Sequence, residues 1–391
     1  MIHFRPGSHV HRLVTILSTT GEFPTRSLYL LGNERVFKAV VHKLTTIQQF
    51  RNSQTGAELT CRMLTVSGRG RNKTIRFHRS ALPILEWVSA QDYYLHAFRN
   101  HKFSGDAYHV ERRHRVAEAV AMCMSAGLES RPYVLPKLQG ECISKTVPEF
   151  PCLYLARELK RVDELGTNKT QFTRLVGAFF SDRECRAVYN TRNAVMKWSG
   201  MGEFKARQSI TDIARLNAGI SRVDSAILFA KSYDTALQTL LESDRSRRME
   251  FRFDAVYRHI HVVTMDENGV RLLQLLSVPD WNEQLLDLLF DPEQRSYNKG
   301  QFEYDACIDG VYILSHLDGD IARLIRFRDA LRMGAGPSEV LCFPFQVEFL
   351  QEFLGQATQF KTIDMSAVEE AIGQERRKFC LLYTSPSPRD S

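Results

Sequence analysis

Apolar residues recur three and four positions apart from His11 to Thr19, the spacing of an amphipathic helix. Gly21, Pro24 and Thr25 then open a shorter helical piece, "TRSLYLLG", which Gly32 stops. Asn33 stands as the N-cap of a third helix, "NERVFKAVVHKLTT", whose stripe of Val36, Phe37, Val40, Val41 and Leu44 leaves Arg35, Lys38, Ala39, His42 and Lys43 on or beside the exposed face. The period then falls to two. "LTCRMLTV" (59–66) and "KTIRFHR" (73–79) read as strands joined by "SGRGRN", and "SALPILEWV" reads as a closing helix. From about residue 115, strand-like and helix-like stretches alternate: a helix in "VAEAVAMCMSAG", paired strands in "RLVGAFF" and "CRAVYNT", a helix in "EFKARQSITDIARLNAG", then "SAILFAK", "DTALQTLLES" and "VYRHIHVVTM". Toward the end "VYILSHL" with "DIARLIRFRDALR", "EVLCFP" with "QVEFLQEFLG" and "FKTIDM" with "SAVEEAIG" repeat the unit. Such alternation predicts an α/β domain with a largely parallel sheet, α+β overall once the N-terminal segment is counted.

Charge divides this chain unevenly. Residues 1–100 hold 14 Lys/Arg against 5 Asp/Glu, while the remaining residues are slightly acidic, although the whole chain carries a net charge of +7. A basic segment joined to a near-neutral body points to a module that binds a polyanion. Three helices followed by a two-stranded hairpin and a flanking helix is the order of a winged helix. On that reading "SGRGRN" is the wing: Gly68 and Gly70 permit the tight turn, Arg69, Arg71, Lys73 and Arg76 reach phosphates or the minor groove, and Arg35, Lys38, His42 and Lys43 face the major groove. The expected partner is double-stranded DNA.

No run approaches the roughly 20 apolar residues that span a bilayer, and the first 25 residues lack a secretory signal, so a cytoplasmic protein without membrane contact is expected. Eight cysteines without a C-x-x-C or paired Cys/His spacing predict reduced, mostly buried thiols. His96, His101, His109 and His114 are not spaced to share one helical face as metal ligands and are expected at a surface or interface. No Walker A or G-x-G-x-x-G motif is present.

Two clusters could carry chemistry. His259 and His261 flank one apolar residue in a strand, so both imidazoles face one side, as two ligands of one divalent ion would. The spacing matches the His-hydrophobe-His core of HUH single-strand endonucleases, and Tyr297, with Lys299 beside it, is then the candidate nucleophile. Asp318 and Asp320 in "HLDGD" follow a strand and open a helix, where paired acids can hold Mg²⁺ and where Asp is also an ordinary cap. Asp266 and Glu267 in "TMDENG" read as a helix cap.

The passages "STTGEFPTRSLYLLGNERV", "HRVAEAVAMC", "AVYNTRNAVMKW", "VPDWNEQLLDLLF" and "VYILSHLDGDIARLIRF" resemble proteins of conjugative and integrative elements of Firmicutes. More distantly the chain resembles the replication-relaxation family, in which a winged helix precedes a domain similar to the restriction-endonuclease fold. The resemblance implies a role in plasmid or element replication, relaxation or transfer, with replication or conjugation proteins as further partners. Glu158 and Lys160 in "RELK" have the local spacing of a PD-(D/E)xK nuclease, but no upstream Asp at a strand end accompanies them. The expected layout is a winged helix over 1–95, a connecting helix and loop over 96–115, an α/β domain over 116–377 and, over 378–391, a tail that resembles translated adapter sequence. Binding with weak catalysis or none, and without a cofactor, is the leading expectation. The alternatives are a nickase using Mg²⁺ or Mn²⁺, and a transcription regulator with an α/β sensor domain.

Overall fold

The computed structural model describes residues 1–99, 101, 103, 105–130, 151–162, 175–195, 201–245, 256–297 and 302–373. Lys299 and the 378–391 tail lie outside them. The fold is mixed α/β, as the alternating pattern predicts.

The chain begins with β1 (Ile2–Phe4), α1 (His9–Thr20) and β2 (Glu22–Pro24), then a 3-10 stretch (Thr25–Leu31) and α2 (Glu34–Leu44). Asn33 caps α2 as expected, its side-chain oxygen accepting from the Arg35 and Val36 amides at 3.1 and 3.2 Å. Phe37, Val41 and Leu44 are buried. Val36, expected on the same stripe, is 40% exposed. β3 (Gln48–Asn52), β4 (Glu58–Cys61), β5 (Leu64–Ser67) and β6 (Thr74–Phe77) follow, then a 3-10 stretch (Arg79–Val88) and α3 (Gln91–Phe98).

The run 59–66, expected as one strand, is two. β4 pairs with β3, whereas β5 pairs with β6, and β2 lies on the other side of β6. The break falls where Met63 and Leu64 are buried consecutively, which no single half-buried strand allows, so the chain passes from one sheet to another. The turn between β5 and β6 needs glycine at 68: its φ is +81°, and a Cβ there would lie 2.4 Å from the Asn72 carbonyl oxygen.

Next comes α4 (Ala107–Ser125), capped by Asp106, which accepts from the His109 amide at 3.0 Å. A division at residue 115/116 therefore falls inside one helix. Its residues Ala117 to Cys123 are all buried, because one flank lies against α1, β2 and the first 3-10 stretch and the other against the large sheet. The N-terminal unit and one face of that sheet share a continuous apolar core in which Leu17, Phe23, Ala121, Val188 and Phe229 all take part.

That sheet comprises β7 (Glu129–Ser130), β8 (Cys152–Leu155), β9 (Leu175–Phe180), β10 (Glu184–Arg192), β11 (Arg222–Ala230) and β12 (His259–Thr264), in the order β12-β11-β10-β9-β8-β7. β10, β11 and β12 are mutually parallel, and β9 runs antiparallel to both its neighbours. The expected pairing of "RLVGAFF" with "CRAVYNT" is the β9–β10 hairpin, with Cys185 opposite Phe180. Alternation divides the strands between two cores: Val188, Ile227 and Phe229 face α4, while Ala187, Tyr189, Ala226 and Leu228 face the opposite layer. α5 (Ala156–Val162), α6 (Met201–Ala218) and α7 (Tyr233–Arg245) fall between successive strands, and α8 (Glu267–Leu276) and α9 (Trp281–Leu289) follow β12.

A second sheet holds β13 (Ala306–Ile308), β14 (Val311–Ser315), β15 (Ser338–Cys342) and β16 (Gln359–Thr362), the last three parallel, with α10 (Ile321–Arg332) and α11 (Val347–Leu354) as crossovers. It meets the large sheet where the loop after β14 lies along β12. The Val262 amide donates to the Gly319 carbonyl at 3.0 Å, and His261 bridges to Asp320. Gly319, with φ +67°, makes this approach possible, since a Cβ would sit 2.8 Å from the Val262 carbonyl oxygen.

Among the described residues no helix is long and apolar enough to cross a membrane. The described cysteines are buried, apart from the partly exposed Cys307.

Candidate nucleic-acid interface and a histidine–aspartate cleft

On α2 the side chains of Arg35, Lys38, His42 and Lys43 are all exposed. Helical geometry requires this once Phe37, Val41 and Leu44 point inward. A groove of about 610 Å³ separates α2 from the β5–β6 hairpin, with Lys38 and His42 on one wall and Val66 and Lys73 on the other. Lys38 also pairs with Glu34 at 2.6 Å, one turn earlier. Arg69 is exposed on the β5–β6 turn. Arg71, two residues on, lines a different cavity, against α4 and the large sheet.

Arg76 does not belong with these cations. Its Nε donates to Glu22 Oε2 at 2.7 Å, Arg113 Nε donates to Glu22 Oε1 at 2.6 Å, and Glu22 is fully buried. The Arg76 guanidinium also lies 4.7 Å from the Phe103 ring centre. A buried carboxylate must be paired, so Arg76 is committed to fastening β6 to β2 and α4.

His259 and His261 face the same side of β12, their rings nearly parallel at 11° with centres 6.4 Å apart. The structure brings them to Asp318 and Asp320, which lie 57 residues beyond His261 and 61 beyond His259 respectively. His259 Nδ1 lies 2.7 Å from Asp320 Oδ2, and His261 Nδ1 lies 3.0 Å from the Asp318 carbonyl oxygen and 3.7 Å from its carboxylate. Asp320 also caps α10, its Oδ1 accepting from Ala322 and Arg323 amides, and takes a further bond from the Ile260 amide. Burial would raise its pKa, but the hydrogen bond from His259, the charges of both histidines and the Ile260 amide outweigh that and hold the carboxyl well below the usual range. Burial dominates at Asp318 and raises it. His316, enclosed nearby, is pushed down to about 4 by burial.

His259, His261 and Asp318 line a cleft of about 260 Å³ together with Glu184, Arg186, Ser225 and Arg323. Arg323 is buried among carboxylates: burial would lower its pKa, but Asp305, at 2.7 Å, with Asp318 and Asp320 raises it. Tyr297 borders the same cleft, 65% exposed, its ring 5.0 Å from the Arg295 guanidinium. A histidine oriented by a carboxylate in a cleft of this kind can pass protons. Both imidazoles, however, spend Nδ1 on the 318–320 segment rather than turning it to a common point. Among the described residues no three His, Cys, Asp or Glu side chains form a group that could hold a metal ion.

The remaining candidates take structural positions. Glu158 is fully buried and accepts from Tyr93 and Arg157, each at 2.7 Å, while Arg157 reaches the Thr19 carbonyl, so "RELK" ties the large sheet to the N-terminal unit. Asp266 caps α8 through the Gly269 amide. His96 and His109 are exposed, and His109 pairs with Asp106. His101 stacks on Tyr94. Of the expected surface or interface histidines, His114 is not at the surface: it is fully buried where α4 meets β6, with Nε2 2.8 Å from Thr74 Oγ1. Glu184, Ser225 and Arg323 carry no local signal of their place in the cleft. "IARLIRFRDALR" reads as a helix with solvated arginines until β12 closes over Arg323.

Compared with protein-family models, with curated proteins and with solved structures, the chain matches none.

Proposed function

We propose that this chain binds duplex DNA through its N-terminal unit, with α2 as the reading helix and the β5–β6 turn as the wing of a winged helix. The observation that carries the reading is the groove with Lys38 and His42 on one wall and Lys73 on the other, in the quarter of the chain that holds the whole positive surplus. The order of elements supports it, since β2, β6 and β5 form a small antiparallel sheet beside α2. The resemblance to mobile-element proteins suggests replication, relaxation or transfer as the setting. Replacing Lys38, Arg69 and Lys73 together with glutamine should flatten the slope of log affinity against log salt by about 2–3, near 0.9 per lost phosphate contact. An unchanged slope would remove this face from the interface.

The cleft favours a second reading, cleavage of a phosphodiester, because His259, His261, Asp318 and Tyr297 border one space. On that reading a supercoiled plasmid is nicked in the presence of Mg²⁺ or Mn²⁺, His261→Ala abolishes nicking, and Tyr297→Phe abolishes covalent attachment to the cut strand. If the wild type binds without nicking, the cleft is structural.

A further inference from the structure

Between the N-terminal unit and the large sheet lies a cavity of about 540 Å³, within the size range of small-molecule sites. Its floor is formed where β10 runs out through Thr191 and Arg192, with Lys231 following β11 and Met265 following β12. Three adjacent parallel strands thus end in one space, the edge at which open α/β sheets hold ligands.

Its charge is not balanced. Five cations, Arg26, Arg71, Arg115, Arg192 and Lys231, face two carboxylates. Both carboxylates are already committed. Glu118 is buried and takes Arg192 Nε and Nη2 at 2.6 and 2.8 Å, with Ser27 Oγ at 2.5 Å. Glu111 takes Arg26 at 3.3 Å and also Arg192. Arg71 and Lys231 have no ion-pair partner among the described residues and approach the cavity from opposite sides, one from the β5–β6 turn and one from the sheet. Arg192 is held at φ +57°, a left-handed conformation that costs a non-glycine residue energy, and its Glu118 pair fixes it there. Tyr29, 38% exposed, adds an aromatic ring to the wall.

We infer that this cavity binds a nucleoside phosphate, with the phosphate between Arg71 and Lys231 and the base against Tyr29. Paired free cations suit a phosphate, and a half-exposed ring offers a stacking face to any base. The site adjoins the DNA groove at Arg26 but is otherwise lined by different residues, so it is tested without DNA.

The test uses the full chain without DNA, with fluorescently labelled ADP as probe and inorganic pyrophosphate as competitor. Labelled ADP should bind and be displaced by pyrophosphate, and Arg71→Gln and Lys231→Gln should each weaken it by about tenfold, the loss expected for one charge-assisted contact. Both side chains are exposed, so neither change threatens folding. Tyr29→Ala should weaken the nucleotide while leaving pyrophosphate unaffected. Absence of binding at millimolar probe would overturn the proposal, as would indifference to both cation substitutions. So would an equal loss on Arg69→Gln, which would mean that the probe reads surface charge.

Discussion

His114 should make the attachment of the β5–β6 hairpin sensitive to acid. The imidazole is fully buried on α4, holds Thr74 through Nε2, and has no partner at Nδ1. Burial, with the charges of Arg192 and Arg26 adding to it, lowers its pKa from 6.5 to about 3. The unfolded chain therefore binds a proton that the folded chain refuses throughout that interval, and stability falls as pH drops from 6.5 toward 3. One such group sets a slope of about 1.36 kcal/mol per pH unit, and the whole interval gives an upper bound of roughly 4–5 kcal/mol. His114→Gln keeps an amide in reach of Thr74 and cannot titrate. Urea unfolding, followed by fluorescence of Trp87 and the other tryptophans between pH 4 and 7, should show a shallower pH dependence in the variant by about that slope. Parallel curves for wild type and variant would refute the argument, because they would mean the imidazole titrates alike in both states.

Glu22→Gln should destabilise by about 3 kcal/mol, read as a lower urea midpoint, because it leaves Arg76 and Arg113 without their shared carboxylate. Gly68→Ala should cost more than about 1 kcal/mol from its positive φ and the clash with Asn72. On the proposed DNA-binding reading the same change should also weaken DNA affinity by displacing the turn, while a variant that binds as well as wild type would show that the turn takes no part. Asp320→Asn should cost about 1–3 kcal/mol at neutral pH by removing the charged partner of His259. Since Asp320 is held below its ordinary pKa, its contribution is complete above about 4 and is lost as pH falls further. The gap between wild type and this variant should therefore narrow in acid, and a constant gap would refute the pairing.

What could be read from the chain was local. The Asn33 cap, the exposed basic face of α2, the glycine-punctuated turn and the β9–β10 hairpin are each decided by residues a few positions apart, and each stands as the pattern implies, although Val36 leaves the buried stripe. The His259/His261 pair and the Asp318/Asp320 pair were each visible, but their meeting was not. It depends on a loop laid along β12 by Gly319, and no periodicity in either segment encodes it. Arg76 misled for a related reason: beside Arg71 and Lys73 it looks like one more wing cation, yet a strand alternates its side chains, and the inward step at 76 meets Glu22.

The least legible feature was the join between the two halves. "HRVAEAVAMC" carries apolar or small residues on every side instead of one stripe, the mark of a helix covered all round, and Ala117, Ala119 and Ala121 let α4 press close to its neighbours. Because of this, α4 does more than connect. Arg113 and His114 bind the N-terminal unit at Glu22 and Thr74, while Glu118 joins Ser27 of that unit to Asn190 and Arg192 of the sheet. A helix with polar partners on both sides cannot shift without breaking charge-assisted contacts at one end or the other. A ligand that moves Arg192 at the end of β10 must therefore act on Glu118, and through Ser27 on the 3-10 stretch that leads into α2. If the N-terminal unit reads DNA and the cavity takes a phosphate, this chain of contacts is the physical route by which one would sense the other.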